Sequence, residues 1–181
     1  MHQNASSYPR LFLAIMPDAE TAARIYRLAG LLKRAHGFSG KLIAPDRLHV
    51  SLHFLGGLPD CMLSQACESV ADVRLPPFEL VFDRTVSFLG KPGSRPFVLL
   101  GDDGPGPLRQ LRCAIGTALV RAGLRRRTNT NFTPHVTLLY DESSVDEHSM
   151  FDPIRFTVNQ FVLVHSRNGH MHLERWQLRD H

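Results

Sequence analysis

One order of elements, strand, helix, loop and histidine-bearing strand, is written twice in this chain, and any fold must accommodate both copies. In the first copy the apolar run Leu11–Met16 reads as a buried strand that stops at Pro17. Asp18 stands where a helix N-cap belongs and Glu20 follows in the first turn. Ala22, Ile25, Tyr26, Ala29 and Leu32 then keep a helical period to about His36–Gly37. A loop with Lys41 and Pro45 leads to the strand Leu48–Leu55, closed by Gly56-Gly57. In the second copy Phe97–Leu100 is the strand, and Gly104-Pro105-Gly106-Pro107 opens a helix. Leu108, Leu111, Ile115, Ala118 and Leu119 form its apolar stripe, and Gly123 stops it. An Arg-rich loop then enters the strand Pro134–Tyr140. The separation from Leu11 to His49 equals that from Phe97 to His135, at 38 residues. Equal spacing over a repeated order predicts two similar halves.

The remaining segments add a helix over Cys61–Val70 and strands over Phe78–Leu89 and Pro96–Leu100, joined by a turn at 90–93. Two more strands, Ile154–His165 and Met171–Leu178, surround an Asn168-Gly169 turn. With 181 residues and 43% hydrophobic content, the chain suits one globular unit over 1–181. No apolar run approaches the ~20 residues of a membrane helix, and Met1–Arg10 lacks the marks of a secretory signal. Cys61, Cys67 and Cys113 lack zinc-type spacing and read as free thiols. A soluble, cytoplasmic monomer is the expectation. The net charge of +4, carried mostly by arginine, permits an anionic partner without requiring one. The phosphate-loop pattern G-x-x-x-x-G-K is absent, so ATP hydrolysis is not expected.

The chemistry sits in two tetrads, His49-Val50-Ser51-Leu52 and His135-Val136-Thr137-Leu138. Side chains alternate along a strand, so each motif shows an imidazole and a hydroxyl on one face and packs its aliphatic residues on the other. One neutral imidazole can take a proton while a second, protonated, gives one. Hydroxyls can stabilise the non-bridging oxygens of a phosphodiester. That set fits an in-line displacement at phosphorus, and no metal or nucleotide cofactor is expected.

The segments His49-Val50-Ser51-Leu52-His53-Phe54-Leu55-Gly56 and Phe132-Thr133-Pro134-His135-Val136-Thr137-Leu138 resemble the paired motifs of the 2H phosphoesterases. The likeness is nearest to the RNA 2′,3′-cyclic phosphodiesterases, long called 2′-5′ RNA ligases, and the opening Arg10-Leu11-Phe12-Leu13-Ala14-Ile15 shares it. The resemblance implies an α+β fold of two pseudo-symmetric lobes of antiparallel sheet, forming a V-shaped cleft with helices packed outside. The first lobe would carry the motif around 48–56 and the second the motif around 132–138. It implies hydrolysis of a terminal 2′,3′-cyclic phosphate on RNA to a 2′-phosphate, with ATP-independent 2′-5′ ligation as a companion activity. His49 would be the proton donor, His135 the proton acceptor, and Ser51 and Thr137 would hold the phosphate. Partners would be RNA with cyclic-phosphate or tRNA-half ends and small cyclic nucleotides. This chain has Ser51 where many relatives have threonine. It has Tyr140 where many have arginine, so that contact is missing or supplied elsewhere. Other readings are a related cyclic phosphodiesterase, acting on ADP-ribose cyclic phosphate or 2′,5′-oligonucleotides, and a non-catalytic module that binds RNA ends.

Secondary candidates are Arg125, Arg126 and Arg127 for the RNA backbone and Phe54 and Phe132 for a base, with Phe12 and Trp176 as further aromatics. Period-two spacing puts His53 on the face of His49 and Ser51, but no carboxylate at ligand spacing suggests a metal. His170 and His172 alternate beside the last turn and read as surface residues.

Overall fold

The computed structural model describes residues 10–101, 106–124, 132–166 and 169–180. The element order is β1 Arg10–Ile15, α1 Ala19–His36, β2 Val50–Gly56, α2 Asp60–Ala71, β3 Phe78–Ser87, β4 Arg95–Gly101, α3 Pro107–Arg121 and β5 His135–Asp141. It ends with β6 His148–Val158, β7 Gln160–Ser166 and β8 His170–Gln177. The expected α+β class holds. All strand pairings are antiparallel, in one four-stranded sheet ordered β2-β1-β7-β8 and another ordered β5-β4-β3-β6. The repeat is visible in these orders: β1-α1-β2 and β4-α3-β5 take matching places, with the motif strands β2 and β5 each at a sheet edge. Among the described residues no helix is long and apolar enough to cross a membrane.

Local chemistry sets the ends of α1. The Asp18 carboxylate accepts from the Thr21 amide at 2.8 Å, and Gly37 closes the helix in the left-handed region at φ 69°. One large core joins both sheets to the helices, from Leu11, Leu13 and Ile15 through Phe82, Phe97 and Leu99 to Leu111 and Ile115. Each copy's helix touches the other copy's sheet. α1 lies against β5 and β6, with Arg24 paired to Asp152 at 2.6 Å, while α3 lies against β2.

The single strand expected over Ile154–His165 is two. β6 ends at Val158 in the second sheet and β7 begins at Gln160 in the first, so Asn159 alone carries the chain between sheets. The end of β6 alternates and β7 is a continuous apolar run, and one asparagine between them offers no turn signal. A second link runs through the loop after α1. The Leu42 backbone bridges to Leu139, and the Asp141 carboxylate accepts from the Ser39 and Gly40 amides, each at 2.7 Å. A Cβ on Gly40 would collide with the Tyr140 carbonyl, so glycine is required for this approach.

Candidate active site

The motifs show the alternation their spacing predicts. Val50 and Leu52 are buried while Ser51 is exposed and His49 half-buried; Val136 and Leu138 are buried while His135 and Thr137 are half-buried. His49 stands just before β2, and His135 is the first residue of β5.

The two imidazoles are anchored alike. His49 Nδ1 lies 2.7 Å from the Arg47 carbonyl and His135 Nδ1 lies 2.8 Å from the Thr133 carbonyl, in each case two residues back. A carbonyl oxygen only accepts, so each ring donates from Nδ1 and keeps Nε2 for other work. Each also has a phenylalanine ring at 5.0 Å, Phe12 beside His49 and Phe88 beside His135. Burial pushes the His49 proton off at lower pH than usual. The bond to the Arg47 carbonyl opposes this, while the nearby positive charges of His135 and Arg47 add to it. A positive charge on His135 therefore disfavours an imidazolium at His49. Among the described residues neither the Ser51 nor the Thr137 hydroxyl has a hydrogen-bond partner.

A cavity of about 1240 Å³ opens beside these groups. Ser51, His135 and Thr133 line it together with Phe54, Phe88 and Phe132, whereas His49 and Thr137 are not on its wall. Phe54 is 56% exposed, which leaves a ring face open to a base. Phe132 lies under the Arg112 guanidinium at 4.4 Å. Arg112 also donates from Nε to the Leu52 carbonyl at 3.2 Å, so one α3 side chain ties β2 to the approach of the second motif. Sequence reasoning missed Arg112, because no periodic signal separates it from Arg109 and Arg121 of the same helix. Arg125, Arg126 and Arg127 lie outside the described residues.

Three expectations are corrected. His53 lines the cavity with Ser51 and His135 but does not share the face of His49 and Ser51. A bulge opposite Leu13/Ala14 turns it toward α3, where its Nε2 donates to the Arg112 carbonyl at 2.8 Å. His170 is not a surface residue: its ring packs against His49 at 4.9 Å and Phe12 at 5.3 Å. Phe12 and Trp176 are not open platforms, Phe12 being buried beneath those histidines and Trp176 stacked on Phe161 at 5.1 Å. Among the described residues no group of three or more His, Cys, Asp or Glu side chains is placed to hold a metal ion.

Comparison with known proteins follows the same lines. A family model for the 2′-5′ RNA ligase superfamily matches residues 17–170. The chain is 32% identical over 130 residues to the RNA 2′,3′-cyclic phosphodiesterase of Archaeoglobus fulgidus, an overlap of 71% of this chain and 70% of that protein. Crystal structures of Escherichia coli LigT complexed with ATP and with 3′-AMP are similar in fold. The first has a TM-score of 0.76 at 25% identity over 96% of this chain and 100% of the other. The second has a TM-score of 0.76 at 26% identity over 95% and 99%.

Proposed function

This chain belongs to the 2′-5′ RNA ligase superfamily, and on that premise we propose that it hydrolyses terminal 2′,3′-cyclic phosphates of RNA to 2′-phosphates without a metal. The observation that carries the reading is the equivalent anchoring of His49 and His135, each with Nδ1 bonded to its own backbone and Nε2 left for proton transfer. A water oxygen attacks phosphorus and gives its proton to His135 Nε2. The bond from phosphorus to the 3′ oxygen breaks, and that oxygen takes a proton from His49 Nε2. Ser51 and Thr137 donate to the non-bridging oxygens as charge gathers on them. Ligation uses the same groups with a 5′-hydroxyl in place of water.

The direction of the His49 shift bears on its role. In the empty cleft burial and neighbouring cations disfavour its imidazolium. A bound diester brings one negative charge, which restores the proton where the leaving oxygen needs it. Substrate binding and proton uptake are thus one event. Phe54 and Phe132 flank the base, and Arg125, Arg126 and Arg127 meet the RNA backbone.

The test is turnover of an RNA oligonucleotide ending in a 2′,3′-cyclic phosphate, with and without EDTA, the product isomer being read by ³¹P NMR. A 2′-phosphate formed equally in EDTA is expected. Loss of activity in EDTA with rescue by one divalent metal, or a 3′-phosphate product, overturns the mechanism. ADP-ribose cyclic phosphate and a 2′,5′-linked oligonucleotide, run in parallel, decide the substrate class.

A further inference from the structure

The two histidines are anchored alike, yet an acid and a base need unlike surroundings. The structure breaks the symmetry beside His49. His49 has a second imidazole against it, that of His170, edge to face at 4.9 Å and 69°, whereas His135 has the Phe88 ring against it. His170 also meets Phe12 at 5.3 Å and 71°, so the three rings form one closed group. The contact is long-range. His49 precedes β2 at one edge of its sheet. His170 opens β8 at the other edge, paired through Ser166 to Arg10 at the far end of β1. Both pairings that carry these ends, β1–β2 and β7–β8, contain a register shift.

We propose that His170 is a positioning residue for His49: it closes one flank of that ring, holds it in its anchored orientation and shields it from water. The inference rests on the acid–base reading of His49. His170 suits the task because it does not itself titrate in the working range. Among the described residues its buried Nδ1 has no hydrogen-bond partner. Burial, then the charges of His49, Arg47 and His172, push its pKa down to about 4, with Asp46 opposing. These titratable groups face it from the segment before β2 and from β8 itself. His172 in turn accepts from Arg175 at 3.2 Å, and burial and that charge lower its own proton affinity. A neutral ring can pack beside an imidazolium without repelling it, where a charged one could not.

The experiment compares the unmodified chain with H170A and H170F by two readouts: kinetics on cyclic-phosphate RNA, and NMR titration of ¹³C-labelled histidine without substrate. In H170A, kcat falls by about 10- to 100-fold while KM moves by less than about threefold, the signature of lost orientation. The His49 titration moves up toward the ordinary imidazole value as water reaches its flank. H170F keeps a ring of similar shape, so it recovers most of kcat and leaves the His49 titration low. If H170A does not fold, H170N takes its place in both readouts with the same expectations. An unchanged kcat and an unchanged His49 titration in the small variant overturn the proposal, as does H170F behaving no better than H170A. The titration needs no substrate, so a chain that turned over no cyclic phosphate would refute the functional reading while His170 was still judged on His49.

Discussion

At the scale of single residues, the Nδ1 bonds to Arg47 and Thr133 make strong demands. His49→Ala and His135→Ala should each lower kcat/KM by about 10²–10⁴-fold with the fold intact, as measured by steady-state kinetics and circular dichroism. Ser51→Ala and Thr137→Ala should cost on the order of 10–10³-fold, each losing one transition-state donor. If either hydroxyl change proves worse than both histidine changes, the roles are misassigned. Protonation gives a separate check with a definite sign. The positive charge of His135 helps hold the His49 proton affinity down, so His135→Ala should raise the pH at which His49 titrates by NMR. An unchanged or lowered His49 titration would contradict the coupling. The pH profile of kcat/KM should be a bell whose acidic limb lies below the ordinary imidazole value of about 6.5, a limb that belongs to the coupled pair. The facing of these side chains is legible in two tetrads, because period-two alternation fixes which of them share a face. His170 is not legible, since a histidine beside a turn says nothing about which corner of a sheet it will meet.

At the scale of elements, the link between the first copy's loop and the second motif strand is a carboxylate. Asp141 accepts from Ser39, Gly40 and Ser143 amides, and those bonds, that of Ser143 foremost, keep its proton affinity below the ordinary carboxylate range. A depressed folded-state pKa contributes stability above the unfolded value of about 3.8–3.9, which is lost as pH falls further. Asp141→Ala should therefore lower the melting temperature at pH 7, on the order of 10 °C for three charge-assisted bonds. The gap from the unmodified chain should narrow below about pH 4. A gap that is constant across pH would show the carboxylate to be dispensable. Strands and helices themselves are largely readable: α1 shows its N-cap in Asp18 and its stop in Gly37, and α3 its opening prolines. Two features escape. The bulge that reverses His53 leaves no mark in an alternating strand, and the step at Asn159 hides inside one continuous apolar pattern, because which sheet a strand joins is decided by partners far along the chain.

At the scale of the whole molecule, the two sheets share one large core. A cavity of about 1240 Å³ exceeds what a cyclic mononucleotide needs. A 2′-nucleotide product held at about 100 times its Kd should stabilise the fold by about 2.7 kcal/mol, seen as a rise of roughly 5–10 °C in melting temperature. No rise at that saturation would argue against product binding in the cleft. The pseudo-symmetry of the halves is plain from the equal spacings, but their cross-bracing is not: nothing in a repeat says that α1 will lie against β6 or that α3 will lie against β2.

The strand order β2-β1-β7-β8 also has a consequence for how the protein is made. That sheet is assembled from residues 10–56 and 160–177, whereas its counterpart is complete by residue 158. On the ribosome the second sheet can close while the first still waits, its β1–β2 ribbon exposing Leu11, Leu13 and Ile15. His49 emerges early and gains its His170 wall only when the final hairpin is released. A nascent chain that stops short of Gln160 already holds both histidine motifs, yet lacks a finished first sheet, so activity arrives with the last two strands rather than with the motifs.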